Sequence, residues 1–373
     1  MEEFDVVIIG GGMAGASLAW SLAPQRRVLV LERESQPGYH STGRSAATLH
    51  SSYGNETIRA LTATAAPFYL TPSPGFTETP MSRPRAVLKV AREDQLEALD
   101  AELERTLRFV PSARRISRDA CLKLVPSLRP DYVAAGVLDP TMLDLDVAVI
   151  LAAYLRGARG RGAVVRTSSE VAALAADGAG WRIELHDGTV RAPVVVNAAG
   201  AWADTVAGLA GLAPLGIVPK RRTAIIVPAP AGLPTADWPM LEAVGEEWYV
   251  KPDAGRLLCS PADETPCPPS DAQPEELDVA ICAERIEQAF TFPIRRIESR
   301  WAGLRCFAPD KTPVLGFDPR AAGFFWLAGQ GGYGIQTAPA LAALAAALIG
   351  GEVIPDGLDP TPLSPGRLLA GMI

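Results

Sequence analysis

The stretch FDVVIIGGGMAGASLAWSLAPQRRVLVLER, from Phe4 to Arg33, constrains this chain more than any other. The run Val6-Val7-Ile8-Ile9 has the length and β-branching of a buried strand, and Gly10, Gly12 and Gly15 follow it at G-x-G-x-x-G spacing. The spacing predicts a strand that turns sharply into a helix. Gly10 permits the tight turn, Gly12 lets backbone approach a pyrophosphate, and Gly15 lets the helix pack closely on the strand. Met13 and Ala14 open that helix, whose free N–H groups and partial positive charge suit phosphates. A second strand, Val28 to Leu31, ends at Glu32, the offset at which a carboxylate accepts hydrogen bonds from a ribose; Arg33 follows. A lone glycine motif marks only a turn. Strand, glycines, helix, strand and acid in order point to a dinucleotide site.

With 373 residues the chain exceeds the roughly 250–300 that one hydrophobic core supports, which predicts two domains. Its 48% apolar and 21% charged residues are ordinary for a globular protein. A net charge of −7 argues against a nucleic-acid surface. Cys121, Cys259, Cys267, Cys282 and Cys306 form no C-x-x-C pair and have no His at ligand spacing, so neither a metal site nor a redox motif is expected. Their odd number and scatter fit reduced thiols in a cytosol. Strand-like sequence from about Phe4 leaves no room ahead of it for a signal peptide. The longest apolar stretch, Ala338 to Ile349, falls short of the ~20 residues of a membrane span. A cytoplasmic protein is expected, with peripheral membrane contact left open.

Beyond Glu32, the run Arg33-Glu34-Ser35-Gln36-Pro37-Gly38 breaks regular structure. In Ser41-Thr42-Gly43-Arg44-Ser45-Ala46-Ala47, small and hydroxylated residues surround one Gly and one Arg. Such a segment suits an extended anionic ligand, where N–H, hydroxyl and guanidinium share phosphate charge; it equally suits an N-capped helix start. Leu96, Leu99, Leu103 and Leu107 predict a helix whose acidic side is a solvated face. Pro-rich joints at Thr71–Pro74 and Pro80–Pro84 mark an inserted domain.

A helix is predicted from Asp146 to Arg156, with strands at Ala163–Arg166 and Trp181–Leu185 and a turn at Asp187-Gly188. Val194-Val195-Val196-Asn197 then reads as a buried strand that meets the small-residue turn Ala198-Ala199-Gly200-Ala201-Trp202. Pro214 to Leu304 carries strand-like pieces at Ala224–Val227, Trp248–Lys251 and Leu257–Ser260, and a helix around Leu277–Phe290. The strand Gly323–Ala328, the loop Gly329–Gly334 and the helix Thr337–Ile349 close the pattern. Cofactor-type sequence thus occupies 1–80, 145–213 and 305–373, interrupted by 81–144 and 214–304.

The glycine motif with Glu32, the Ser41–Ala47 segment, the Asn197–Trp202 turn and the loop Gly331-Gly332-Tyr333-Gly334-Ile335-Gln336 together resemble the FAD-dependent D-amino-acid oxidase superfamily. Within it the chain looks most like the bacterial flavin-dependent D-arginine dehydrogenases. Further matches lie at Pro219–Arg222, Tyr249–Gly255 and Trp301–Arg305. The resemblance implies an α/β fold: a Rossmann-like FAD-binding domain with an inserted α+β substrate domain. It places FAD on Gly10, Gly12, Met13, Ala14, Gly15, Glu32, Arg33, Ser41, Thr42, Arg44, Ser45, Ala46 and Ala47. Val171, Ala199, Gly200, Trp202 and the residues Gly331 to Gln336 complete that set. It also implies that Arg222 and Arg305 clamp a substrate carboxylate, with Tyr53 and Tyr249 nearby. Two guanidiniums bind a carboxylate by charge-assisted, often bidentate, hydrogen bonds and so aim its Cα–H. The helix entered from Gly331–Gln336 would set its N-terminal dipole against the flavin, stabilising negative charge on reduction.

The chain departs from the D-arginine dehydrogenases at two places. Thr48 stands where they carry an active-site histidine, with His50 two residues on, and Val87 stands where they carry a glutamate for the substrate guanidinium. Met240, Glu242, Val87 and Gly332 are expected around the substrate, and Glu242 reads equally as a pocket carboxylate or as a surface residue. The resemblance implies oxidative deamination of a D-amino acid to a 2-oxo acid and ammonia, and the departures shift the expected preference slightly toward neutral or hydrophobic side chains. His50 or a water takes the amine proton. Alternatives are a 2-hydroxy acid or an N-substituted amino acid as substrate, and a non-catalytic flavoprotein or electron-transfer partner. Oxygen and a quinone-like carrier both stay open as the electron acceptor.

Overall fold

A computed structural model describes residues 1–178 and 180–369. The β-branched run at the N-terminus forms the strand Val6–Ile9, buried along its whole length, and Met13–Leu22 forms the helix after the glycines. Val6–Ile9 lies inside a six-stranded sheet in the order Val164–Arg166, Val28–Leu31, Val6–Ile9, Val194–Asn197, Phe324–Ala328, Val314–Phe317. The first five strands are parallel and the last is antiparallel. Parallel strands covered on both faces read as continuous apolar runs, as these do. One face packs against the helices Met13–Leu22, Val147–Gly160 and Gly334–Gly350. The other packs against a four-stranded sheet that includes the hairpin Gly180–Leu185 and Gly188–Ala192.

A ten-stranded sheet of mixed direction makes the second layer system. Its central order runs Ser299–Phe307, Val218–Pro228, Arg256–Ser260, Tyr249–Asp253, Met240–Ala243, Val87–Ala91, Ala135–Asp139. Two separate parts of the chain supply it, joined where Met240–Ala243 pairs in parallel with Val87–Ala91. Gln330–Gly331 adds to its edge beside Cys306 and Phe307, which ties the terminal loop to this sheet. The fold is the α/β arrangement expected: a mostly parallel, Rossmann-like sheet covered by helices on one face and by a small sheet on the other, with a larger mixed sheet beside it.

Element ends moved by a few residues. The helix expected at Asp146 is capped by Asp146 and spans Val147–Gly160, and the helix expected from Thr337 begins three residues earlier, at Gly334. Ser41–Ala47 forms turns and open loop and starts no helix. The helix Leu96–Leu107 lies where its leucines place it, but Glu102 on its acidic side is buried and bonded to Lys89, so that side is not wholly solvated. Among the described residues no helix is long and apolar enough to cross a membrane, and no cluster of His, Cys, Asp and Glu could hold a metal ion.

Candidate active site

Where the two large sheets meet, a cleft runs from Glu32, Arg33 and Trp202 past Gly10–Ala14 to Arg222, Tyr249 and Arg305. Its lining, which extends from Glu32 to the paired arginines, suits an elongated ligand. At its narrow turn the glycines are obligatory. A Cβ on Gly10, whose φ is +111°, would sit 2.4 Å from the Ala198 carbonyl oxygen, and one on Gly15 would sit 2.0 Å from the Gly10 oxygen. The Met13 N–H donates to Thr42 Oγ1 at 3.1 Å, which fastens Ser41–Ala47 to the helix start. Glu32 is buried; Oε2 accepts from the Gly11 N–H and Oε1 from the Glu34 N–H, both at 2.9 Å, leaving further lone pairs toward the cleft it lines. Arg33 stacks on Trp202 with its guanidinium carbon 3.9 Å from the ring centre, and His40 lies against the same indole.

The segment Ser41–Ala47 spans the middle of the cleft and is fixed to the ten-stranded sheet at three points. Ser41 Oγ donates to the Leu304 carbonyl at 2.7 Å, Trp301 Nε1 to the Arg44 carbonyl at 3.1 Å, and Lys251 Nζ to the Ala46 carbonyl at 2.6 Å. Those tethers hold Ala47 at φ +33°, a left-handed value unusual without glycine. Arg44 lines the cleft, but its guanidinium donates to the Ala272 and Ala302 carbonyls and pairs with Asp271. The phosphate-sharing role expected for that guanidinium is therefore corrected: it clasps the loop to the sheet.

Arg222 and Arg305 face the cleft from adjacent antiparallel strands. Arg222 is paired with Gly303 and Lys220 with Arg305, so the two arginines are diagonal neighbours on one sheet face, ~7–8 Å apart by ordinary sheet geometry. Gly303 and Gly332 make that possible. A Cβ on Gly303 would press on Arg44, and one on Gly332 would fall 2.8 Å from the Arg305 guanidinium carbon. Arg222 Nε donates to the Asp263 carbonyl at 2.7 Å, and Glu264 lies 3.4 Å from its Nη2. Arg305 Nη1 donates to the Tyr53 hydroxyl at 3.0 Å. Burial works against charge on Arg305, yet the Tyr53, Tyr249 and Tyr333 phenols outweigh it and raise its pKa above the ordinary value. Burial pushes the Cys306 thiol, also on the cleft wall, up to about 12, so it stays protonated.

On the opposite face of the same strand Arg221 pairs with Glu275 and Asp278. Tyr249, Met240 and Val87 share the face of Arg222 and pack together with Ala46 beside them. Glu242 lies on that face too, as the cross-strand partner of both Tyr249 and Lys89.

Most residues expected at the cofactor line the cleft, Val171, Ala199, Gly200, Gly331, Gly334 and Ile335 included. Gly15, Ala47, Tyr333 and Gln336 act from behind it. Tyr333 packs on Tyr53, and Gln336 accepts from the His50 N–H and donates to Thr62. Thr48 pairs with Asp144 in a small sheet and does not line the cleft. His50 is corrected as well: it is 1% exposed, engages Ser52 Oγ at 2.7 Å and stacks on Tyr53. It supports Tyr53 and does not face the cleft. Lys251 was missed, although the Tyr249–Gly255 match contains it; a buried lysine leaves no periodic signal. Ser169, Glu170 and Thr205 at the Trp202 end also lacked one.

Residues 5–348 match the family described as FAD dependent oxidoreductase, DAO. The chain belongs to this family. Glycine oxidase from Geobacillus kaustophilus is 26% identical, with 93% of each chain covered, and rat mitochondrial dimethylglycine dehydrogenase is 25% identical over 90% of this chain and 41% of that protein. The crystal structure of the Geobacillus glycine oxidase superposes with a TM-score of 0.86 at 23% identity over 98% of both chains. L-proline dehydrogenase from P. horikoshii superposes with a TM-score of 0.84 at 22% identity over 99% of both. Likeness at that identity establishes the fold alone. The relatives' names span several amines and glycerol 3-phosphate, so they support this FAD dependent oxidoreductase family at large and not the D-arginine dehydrogenases in particular. FAD is the cofactor, and the glycine cradle, the buried Glu32 and the length of the cleft fit it.

Proposed function

We propose that this FAD dependent oxidoreductase deaminates a D-amino acid: the substrate loses a hydride from Cα and a proton from its amine, and water converts the imino acid to a 2-oxo acid and ammonia. Segments 1–80, 145–213 and 305–373 would hold the cofactor, and 81–144 and 214–304 the substrate. The observation that carries the reading is the pair Arg222 and Arg305, side by side on the sheet face that closes the cofactor cleft. Bound there, FAD supplies the two-electron acceptor for the hydride. Arg222 and Arg305 bind the α-carboxylate and fix Cα; Tyr53 orients Arg305, and Tyr249 closes the wall beside it. With His50 turned away, an amine that enters neutral gives its proton to water.

A second reading, an N-substituted amino acid as substrate, draws on the dimethylglycine dehydrogenase relative, and the same carboxylate clamp would serve it. Anaerobic reduction of the bound flavin by D- and L-amino acids, N-methyl amino acids and 2-hydroxy acids tests both. Fast bleaching by D-amino acids supports the first reading, and bleaching by none of these acids removes both.

A further inference from the structure

Beyond Tyr249 the cleft-side face of the large sheet carries one acceptor that the reaction above does not use. On the strand Met240–Ala243, Leu241 and Ala243 enter the opposite core, so Met240 and Glu242 point with Tyr249 and Val87 to the face of Arg222. The Glu242 side chain is only 16% exposed, and among the described residues it forms no hydrogen bond. Lys89 Nζ stands 3.9 Å from its Oε2, beyond hydrogen-bond length, because Lys89 bonds Glu102, which also holds Arg105 at 2.8 Å. One buried ammonium is thus shared by two carboxylates, and Glu242 receives the weaker share.

An acceptor in a largely dry wall is costly until a donor reaches it. Burial raises the Glu242 pKa, as do Glu246 and Glu102, while Lys89 and Arg305 pull it down; the field of the carboxylate anchor therefore reaches this residue. On the strands between anchor and carboxylate that face carries Leu258 and Tyr249, with Met240 and Val87 beside Glu242, apolar surface of the kind that takes a methylene stem.

We infer that Glu242 selects the substrate side chain, accepting a hydrogen bond from a cationic or donor group at the far end of an amino acid whose carboxylate Arg222 and Arg305 hold. The inference rests on the amino-acid reading above and revises the slight preference for neutral side chains expected from sequence, which left the direction of Glu242 open.

Anaerobic stopped-flow reduction of the holoenzyme by lysine and norleucine, each as both enantiomers, tests it, because these differ only by a terminal ammonium. The ratio of kcat/KM, lysine over norleucine, is expected to fall at least ~10-fold in Glu242→Gln and to recover partly in Glu242→Asp. A second measurement needs no variant and no turnover: 6-aminohexanoate should perturb the bound flavin's visible spectrum at least ~10-fold lower in concentration than hexanoate. Bleaching by both amino acids with a ratio that Glu242→Gln leaves unchanged, or equal affinity for the two hexanoates, overturns the inference alone. A flavin that no amino acid bleaches overturns the amino-acid reading and the inference with it.

Discussion

The Tyr53 hydroxyl accepts a hydrogen bond from Arg305 Nη1 at 3.0 Å, while the Tyr53 ring is held between His50 and Tyr333. The phenol orients one guanidinium of the carboxylate anchor, and a chain of aromatic contacts orients the phenol. Tyr53→Phe removes one hydrogen bond to a charged group, which is worth ~1.5–3 kcal/mol. Its kcat/KM for flavin reduction is expected to drop ~10- to 100-fold, with FAD still bound. An unchanged value would show that Arg305 needs no such guide.

Truncating either anchor leaves its partner facing a substrate carboxylate alone. Arg222→Ala and Arg305→Ala are each expected to cost ~2–5 kcal/mol in kcat/KM. Arg305→Lys should restore charge without the fork that meets both carboxylate oxygens, and so recover only part of the loss. Steady-state kinetics on the three purified holoenzymes check the order, and near-normal kcat/KM in both alanine variants would exclude the clamp.

Gly332 can be tested by a single methyl. A Cβ there falls 2.8 Å from the Arg305 guanidinium carbon and 2.9 Å from Nη1, so Arg305 must move or the terminal loop must lift. Displacement by about 1 Å costs reactive geometry ~100-fold. Gly332→Ala is expected to keep its flavin content and lose about that much kcat/KM; a fully active variant would mean that Arg305 tolerates the shift.

His50 carries a pH signature. Burial first, then the charges of Lys89 and Arg59, push its imidazole well below the ordinary 6.5. Below pH 6.5 the unfolded chain takes up a proton that the folded protein refuses, so His50 makes stability fall as the solution is acidified through that window. His50→Gln should flatten the fall in Tm between pH 6.5 and pH 5. It should leave the inflections of the kcat/KM pH profile where they are, and an inflection lost in the variant would return His50 to proton transfer.

The glycine motif was legible because its geometry is local. Gly10 and Gly15 meet backbone within a few residues or one strand away, and no other residue fits. Arg222 and Arg305 were legible through their motifs, and their shared face follows from strand alternation once the register is known. What the sequence hid depends on partners in other elements of the fold. Arg44 reads as a phosphate ligand until Asp271 and two carbonyls claim it, more than 200 residues away. Glu102 reads as a solvated helix face until Lys89 reaches it from the sheet. His50 reads as a free base until burial encloses it and Gln336, 286 residues on, accepts from its backbone N–H. In each case a partner from another element of the fold decided what the side chain does.

Arg221, with Glu275 and Asp278 behind the sheet, sits between two residues that face forward. Adding or deleting one residue ahead of it would rotate this strand by half a pleat, turning Arg221 toward the ligand and Arg222 toward those acids. The exchange would leave one arginine on each face, so forward charge and rear ion pairs survive such a slip, and what changes is the anchor's place along the strand, by about 3.4 Å per residue.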